Sequence, residues 1–150
     1  MANIYEKAIA PTLYFIGVTT GQSSIMKVFP QWAKALNLKD AVIKGIDFIP
    51  HSSAEEYREA VLFIKNDPLS MGALVTTHKI DLFNTCKDLF DYIDPYAEKL
   101  GEVSSISKKD GKLCAHAKDP ISSGLALEHF VPAGYWKDYG GDVLLLGAGG

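Results

Sequence analysis

The chain has 150 residues, 47% of them hydrophobic and 22% charged, the mix of one soluble globular domain with a sizeable core. Its formal charge of −3 excludes a general attraction to nucleic acid or to an anionic membrane. No apolar run approaches the ~20 residues of a membrane span. The start, MANIYEKAIAPTLYF, lacks the basic-then-apolar pattern of a secretory signal. Cys86 and Cys114 form neither a C-x-x-C pair nor a ligand cluster, so reduced thiols in a cytoplasmic protein are expected.

In chain order, Thr12 to Val18 is a run of strand formers that ends in polar residues and Gly21, the pattern of a buried strand. Apolar residues at helical spacing from Ser24 to Leu36 predict a helix, which Pro30 should kink or split. Ala41 to Ile49 reads as a second strand. Ser52 or Ser53 is placed to cap the next helix, which has Glu55 and Glu56 in its first turn and ends near Pro68. Gly72 to Thr76 is a short third strand with Thr77, His78 and Lys79 at its exit, followed by a helix over 81–90. Pro95 to Leu100 is a short helix closed by Gly101. The Asp110-Gly111 pair predicts a hairpin between strands over 103–107 and 112–116. Asp119 as a cap and Pro120 open a helix through Phe130. A loop over 131–141 follows, and the apolar run from Asp142 predicts a last strand.

This alternation implies an α/β fold, a three-layer, open, mostly parallel sheet with helices on both faces and one antiparallel hairpin. In such sheets ligands sit beyond the carboxyl ends of the strands. Three segments leave strands at such ends: Thr19 to Ser24, Thr76 to Lys79, and His116 to Asp119. His51, His78, His116 and His129 show no metal-ligand spacing, so no metal is expected. His116 reads as a strand histidine near the rim of the cleft. Tyr135, Trp136 and Tyr139 read as packing residues, since no basic patch accompanies them.

At the end of the chain an apolar strand leads into Gly147, Ala148, Gly149 and Gly150, the opening of a dinucleotide-binding βα unit, where glycines let backbone donors approach a pyrophosphate. Upstream, Gly72-Ala-Leu-Val-Thr-Thr-His-Lys79 resembles, one position shorter, the G-x-x-V-T-x-P-x-K pattern of the shikimate dehydrogenase family, a group that includes quinate dehydrogenases. Gly101-Glu-Val-Ser-Ser-Ile-Ser107, Asp110-Gly-Lys112 and Asp119 resemble its G-A-V-N-T-I, D-G-K and N-T-D segments, in the same order. Gly17-Val-Thr-Thr-Gly-Gln-Ser23 lies where the family has its G-x-P-x-x-H-S substrate loop.

The resemblance implies an NAD(P)-dependent oxidoreductase that interconverts a ring secondary alcohol and a ketone, with a place in aromatic amino-acid biosynthesis. It implies Lys79 and Asp119 as the catalytic pair and a substrate site drawn from Ser23, Ser24, Thr76 and Ser104. The cofactor, NADP or NAD, would meet Gly147, Ala148, Gly149 and Gly150. On this reading residues 1–141 form a substrate-binding domain that includes a linker helix over 119–130. Residues 142–150 then begin a dinucleotide-binding domain of Rossmann type, and the chain alone should not turn over. The expected partner is a small polar cyclic substrate, with no nucleic acid and no membrane, in a monomer or homodimer. The chemistry suits the pair: when hydride leaves a secondary alcohol its hydroxyl proton must leave too, and a lysine beside a carboxylate can hydrogen-bond that hydroxyl and shuttle the proton.

Several positions depart from the pattern. Ile25 stands where the family has a second hydroxyl, Ser104-Ser105 replace Asn-Thr, Ala117-Lys118 replace Asn-Thr, Thr77 replaces a proline, and Pro120 replaces a glycine. These changes point to a non-shikimate substrate, or alternatively to a dehydrogenase-like protein that binds a ligand without turnover. Two geometric expectations follow. The Lys79 and Asp119 side chains should converge within direct or single-water reach, ~3 to 6 Å. Val143 to Leu146 should stay apart from the sheet that holds Leu13 to Val18.

Overall fold

The computed structural model describes residues 5–144 and 146. Six strands, β1 (Thr12–Gly17), β2 (Val42–Asp47), β3 (Ser70–Val75), β4 (Tyr92–Ile93), β5 (Ser105–Lys109) and β6 (Lys112–His116), form one sheet in the order β2-β1-β3-β5-β6-β4. β1 runs parallel to β2 and to β3, β5 is antiparallel to β3 and to β6, and β4 is parallel to β6. Two reversals restore direction, so β1, β3 and β6 all point the same way and their exits share one edge.

Register divides the sheet into two faces. Tyr14, Ala73, Ile106 and Ala115 lie side by side across four strands. This row packs into the main core with Tyr57, Ala60, Val61 and Ile64 of α2 (Ala54–Asn66), with Leu82, Phe83 and Cys86 of α3 (Lys79–Cys86), and with Ala97 of α4 (Pro95–Leu100). The opposite row, Phe15, Leu74, Ser105 and His116, belongs to the other face. There α1 (Ile25–Ala35) lies against β2.

The local chemistry behind these elements is ordinary. Ser53 and Glu56 make a reciprocal capping box that starts α2, and Asp94 caps α4 by accepting from the Ala97 N–H, with left-handed Gly101 at its end. Asp110 and Gly111 both take positive φ in the hairpin turn, as the Asp-Gly signal requires. Gly72, at φ +116°, lies where an added Cβ would come within 2.0 Å of the Ile106 carbonyl oxygen, so glycine is what lets β5 pair closely with β3.

Some expectations are corrected. α1 runs unbroken through Pro30, whose ring lies on the exposed side. The third helix begins at Lys79 rather than at 81 and gives way to a 3-10 turn over Lys87–Leu89. Asp119 is not a cap: Lys118 holds that position, and Asp119 is the first residue of α5 (Asp119–Glu128), its carboxylate turned to Lys79 instead of to its own helix. The loop over 131–141 contains a helical turn, α6 (Tyr135–Tyr139). The expected last strand is absent at 142–144 and 146: a strand needs a neighbour for its backbone groups, and no neighbour is present among the described residues. Val143, Leu144 and Leu146 are exposed, apart from the sheet as expected. The glycine turn expected over 147–150 falls outside the described residues.

At the edge opposite the strand exits, the buried Asp67 accepts from the Ala8 N–H, the Tyr14 hydroxyl and the Leu69 N–H. Burial pushes its carboxyl up, but these donors outweigh that and hold it below the usual range. A carboxyl whose pKa is lowered by folding stabilises the fold above its unfolded value of about 3.9, and that contribution fades as pH falls through the folded value. Asp67→Asn should therefore cost about 1–3 kcal/mol at neutral pH and flatten the acid limb of a melting-temperature profile. An acid limb unchanged by the substitution would contradict this role.

Candidate functional site

The cleft lies where β1, β3 and β6 end. Residues leaving β1 enter a 3-10 turn, Thr20–Gln22, that folds back over the neighbouring strand: the Thr20 N–H donates to Asp47 Oδ1 at 2.9 Å. Gly45 permits this, since an added Cβ would come within 1.9 Å of Thr20 Oγ1. The turn delivers Ser23 to the cleft. Leaving β3, the Thr76 carbonyl accepts from the Lys79 N–H at 3.1 Å, which tightens the exit and starts α3 at the lysine. Leaving β6, the chain enters α5 at once, with Asp119 first.

Lys79 Nζ donates to Asp119 Oδ2 across 40 positions of sequence. The lysine side chain is 20% exposed and the aspartate 52%, so the pair faces solvent on one side only. Beside it lies a hollow of about 270 Å³ lined by Phe15, Ser23, Ile25, Leu74, Val75, Thr76, Lys79 and Asp119. A second hollow of about 240 Å³, over the 3-10 turn, shares Phe15, Ser23 and Thr76 with the first. Together they offer one polar end at Lys79 and Asp119, an apolar floor at Phe15 and Leu74, and hydroxyls at Ser23 and Thr76. This is the form of a small-ligand site.

The expected site residues are distributed unevenly. Lys79, Asp119, Ser23 and Thr76 are brought together around the hollow. Ser24 is exposed at the start of α1, makes no side-chain cap bond, and does not line it. Ser104 is buried and its hydroxyl accepts from the Lys118 N–H at 2.8 Å, so it braces the strand exit. Gly147, Ala148, Gly149 and Gly150 lie outside the described residues. Among the described residues no cluster of His, Cys, Asp and Glu could hold a metal ion, and no helix is long and apolar enough to cross a membrane. Both cysteines are free thiols.

Two features were not foreseen. Asp94 Oδ2 pairs with Lys118 Nζ at 3.1 Å and with His116 Nδ1 at 3.2 Å, while His116 Nε2 meets Ser107 Oγ at 3.0 Å. Burial pushes the Asp94 carboxyl up, but the Ala97 N–H and the Lys118 ammonium prevail and hold it below the usual range. The signal was the unusual cation at Lys118, but nothing in its spacing named Asp94 as its partner. His78, next to Lys79, is buried and shares a 2.8 Å hydrogen bond with the Tyr57 hydroxyl. Burial first, and then the charge of Asp81, push the Tyr57 phenol up.

No family model matches the chain. The NADP(+)-dependent shikimate dehydrogenases of Bacillus cereus and Bacillus anthracis are each 35% identical to it over 92 residues, 61% of this chain and 31% of theirs. A crystal structure of shikimate dehydrogenase in complex with NADP+ matches with a TM-score of 0.63 at 26% identity, over 86% of this chain and 40% of that one. The chain resembles the shikimate/quinate dehydrogenase family. Two further structures support the fold alone. Shikimate 5-dehydrogenase from Listeria monocytogenes, in complex with shikimate and NAD, matches at a TM-score of 0.67 and 19% identity, over 85% of this chain and 41% of that one. Quinate dehydrogenase from Corynebacterium glutamicum, in complex with NAD, gives the same TM-score and identity over 83% and 43%. The chain thus spans about a third of the length of the curated relatives it matches and under half of the solved structures.

A half-exposed ion pair contributes little to stability, typically under ~1 kcal/mol. Lys79→Met and Asp119→Asn should accordingly shift the free energy of unfolding in denaturant by no more than that. A loss of several kcal/mol would make the pair a structural brace.

Proposed function

We propose that this chain is the substrate-binding part of an NAD(P)-dependent dehydrogenase of the shikimate/quinate type, interconverting a ring secondary alcohol and its ketone. On this reading residues 1–141 hold the substrate and 142–150 begin the cofactor-binding part. The observation that carries it is the Lys79–Asp119 pair at the mouth of a hollow of small-molecule size. Similarity to the NADP(+)-dependent Bacillus enzymes supports the same reading.

In this mechanism Lys79, as the neutral amine, accepts a hydrogen bond from the reacting hydroxyl and takes its proton as the carbon is oxidised, becoming an ammonium. Asp119 orients the ammonium and accepts from a neighbouring hydroxyl of the ring. Ser23 and Thr76 hold the ring's other polar groups, and the Phe15–Leu74 floor keeps water from its underside. The nicotinamide cofactor, when bound, supplies the hydride acceptor. A small polar cyclic alcohol fits the balance of the lining better than an apolar or a polymeric ligand.

The second reading, a ligand-binding module without turnover, draws on Ile25. This aliphatic side chain lines the hollow where the family pattern has a hydroxyl. Reduction of NAD or NADP by the full-length protein with a panel of cyclic polyols decides between them. The dehydrogenase reading predicts turnover of at least one polyol, and a loss of about 10²–10⁴ in kcat for Lys79→Met. Binding of a polyol with no hydride transfer under any cofactor supports the module.

Shikimate itself should be a poor substrate. A site that lacks the partner of a charged ligand group loses about 2–5 kcal/mol of binding, so weak or undetectable shikimate oxidation is expected beside better turnover of another polyol. Efficient shikimate turnover would mean that other groups have replaced the lost contacts.

A further inference from the structure

We propose that Asp94 is a positioning residue for Asp119, holding the exit of β6 so that the carboxylate meets Lys79. The inference rests on that pair being the working one. The need for such a residue arises from α5. Asp119 is its first residue, yet no residue of α5 is buried, so packing of the helix does not set where its first turn lies. What sets it is the short stretch 116–118, from the last residue of β6 to the start of α5, which is held from two sides. On one side Ser104 takes both ends: its N–H donates to the His116 carbonyl at 2.9 Å, and its hydroxyl accepts from the Lys118 N–H at 2.8 Å. On the other side Asp94 takes the side chains, pairing through Oδ2 with Lys118 Nζ at 3.1 Å and with His116 Nδ1 at 3.2 Å.

Asp94 is suited to anchor these groups because it is itself fixed. Its N–H donates to the Ala115 carbonyl at 2.9 Å, its Oδ1 caps α4 through the Ala97 N–H at 2.8 Å, and its side chain is 7% exposed. A carboxylate rooted in the sheet and in a helix cap loses little freedom by gripping the mobile stem of a lysine. Lys118 is half exposed and precedes Asp119 directly, so its tether limits the rotation of the turn that carries the carboxylate. His116 adds a second tether, itself held through Nε2 by Ser107 on β5.

A purely structural cap would behave differently, and the test separates the two without any need for turnover. The readout is the rate at which the Lys79 amine is acetylated in the folded chain, followed site by site by mass spectrometry, with amide exchange over 117–122 in parallel. Asp119→Asn removes the partner of Lys79 and sets the unprotected rate. Asp94→Ser keeps a cap for α4 but is too short to reach Lys118 or His116. It should raise Lys79 labelling severalfold, most of the way to the Asp119→Asn rate, and speed exchange over 117–122. Lys118→Met should loosen the pair in the same sense, and Lys118→Arg should leave it protected. Wild-type labelling in Asp94→Ser and Lys118→Met, with Asp119→Asn labelled fast, would overturn the positioning role while leaving the pair intact. Unchanged labelling in Asp119→Asn would refute the pair and the proposal with it. Hydride-transfer assays on the same variants then bear on the dehydrogenase reading alone.

Discussion

A lysine that begins one helix and an aspartate that begins another meet over the sheet edge because β5 runs antiparallel between β3 and β6. Were all strands parallel, β5 would also end at that edge and place a third exit between the two. As built, β5 begins there, and its first turn contributes only the brace at Ser104. The Lys79–Asp119 contact therefore depends on topology more than on the ion pair itself, which is too exposed to draw two strand exits together. Everything else at the cleft is arranged around that gap: Thr76 tightens the lysine side, Ser104 and Asp94 hold the aspartate side, and the Thr20–Gln22 turn closes the third side with Ser23.

Much of this architecture can be read in the chain. Strand formers in Thr12 to Val18, a capping serine at 52 or 53, the Asp-Gly turn and Gly101 after a short helix are local signals, and each is realised, with Ser53 the serine that caps. The convergence of three strand exits follows from the alternation of elements together with the hairpin. What local signals could not supply are properties that need a partner far away. The apolar run at 142–146 reads as a strand, yet a strand exists only with a neighbour for its backbone, and the described residues provide none. The cap at Asp119 is plausible by composition, but Lys79, 40 positions away, competes for the same carboxylate. Asp94 looks like a plain helix cap, and its second role appears only when β4 is placed beside β6, a pairing of two residues too short to announce itself.

The departures from the family pattern take on physical meaning in the same way. Ile25 lines the hollow and removes a hydrogen-bonding position from its wall. Ala117 is buried and offers no polar atom from its side chain. Lys118 adds a cation, but the buried carboxylate of Asp94 is within hydrogen-bond reach of it, so the added charge serves the frame of the cleft. On the proposed reading, Ile25 is a loss at the ligand and Lys118 a gain in the scaffold, the pattern expected when a site keeps its reacting groups and alters what it grips.

The central claim, that Lys79 and Asp119 act as one unit on a ring alcohol, is tested most directly by a double-mutant cycle on ligand binding. Calorimetry would measure the affinity of a cyclic polyol that binds the wild-type chain for Lys79→Met, Asp119→Asn and the double variant. The account predicts that the double variant loses no more affinity than the worse of the two single variants, because either substitution already disables the pair. Losses that add, or affinities unchanged by any of the three, would contradict it.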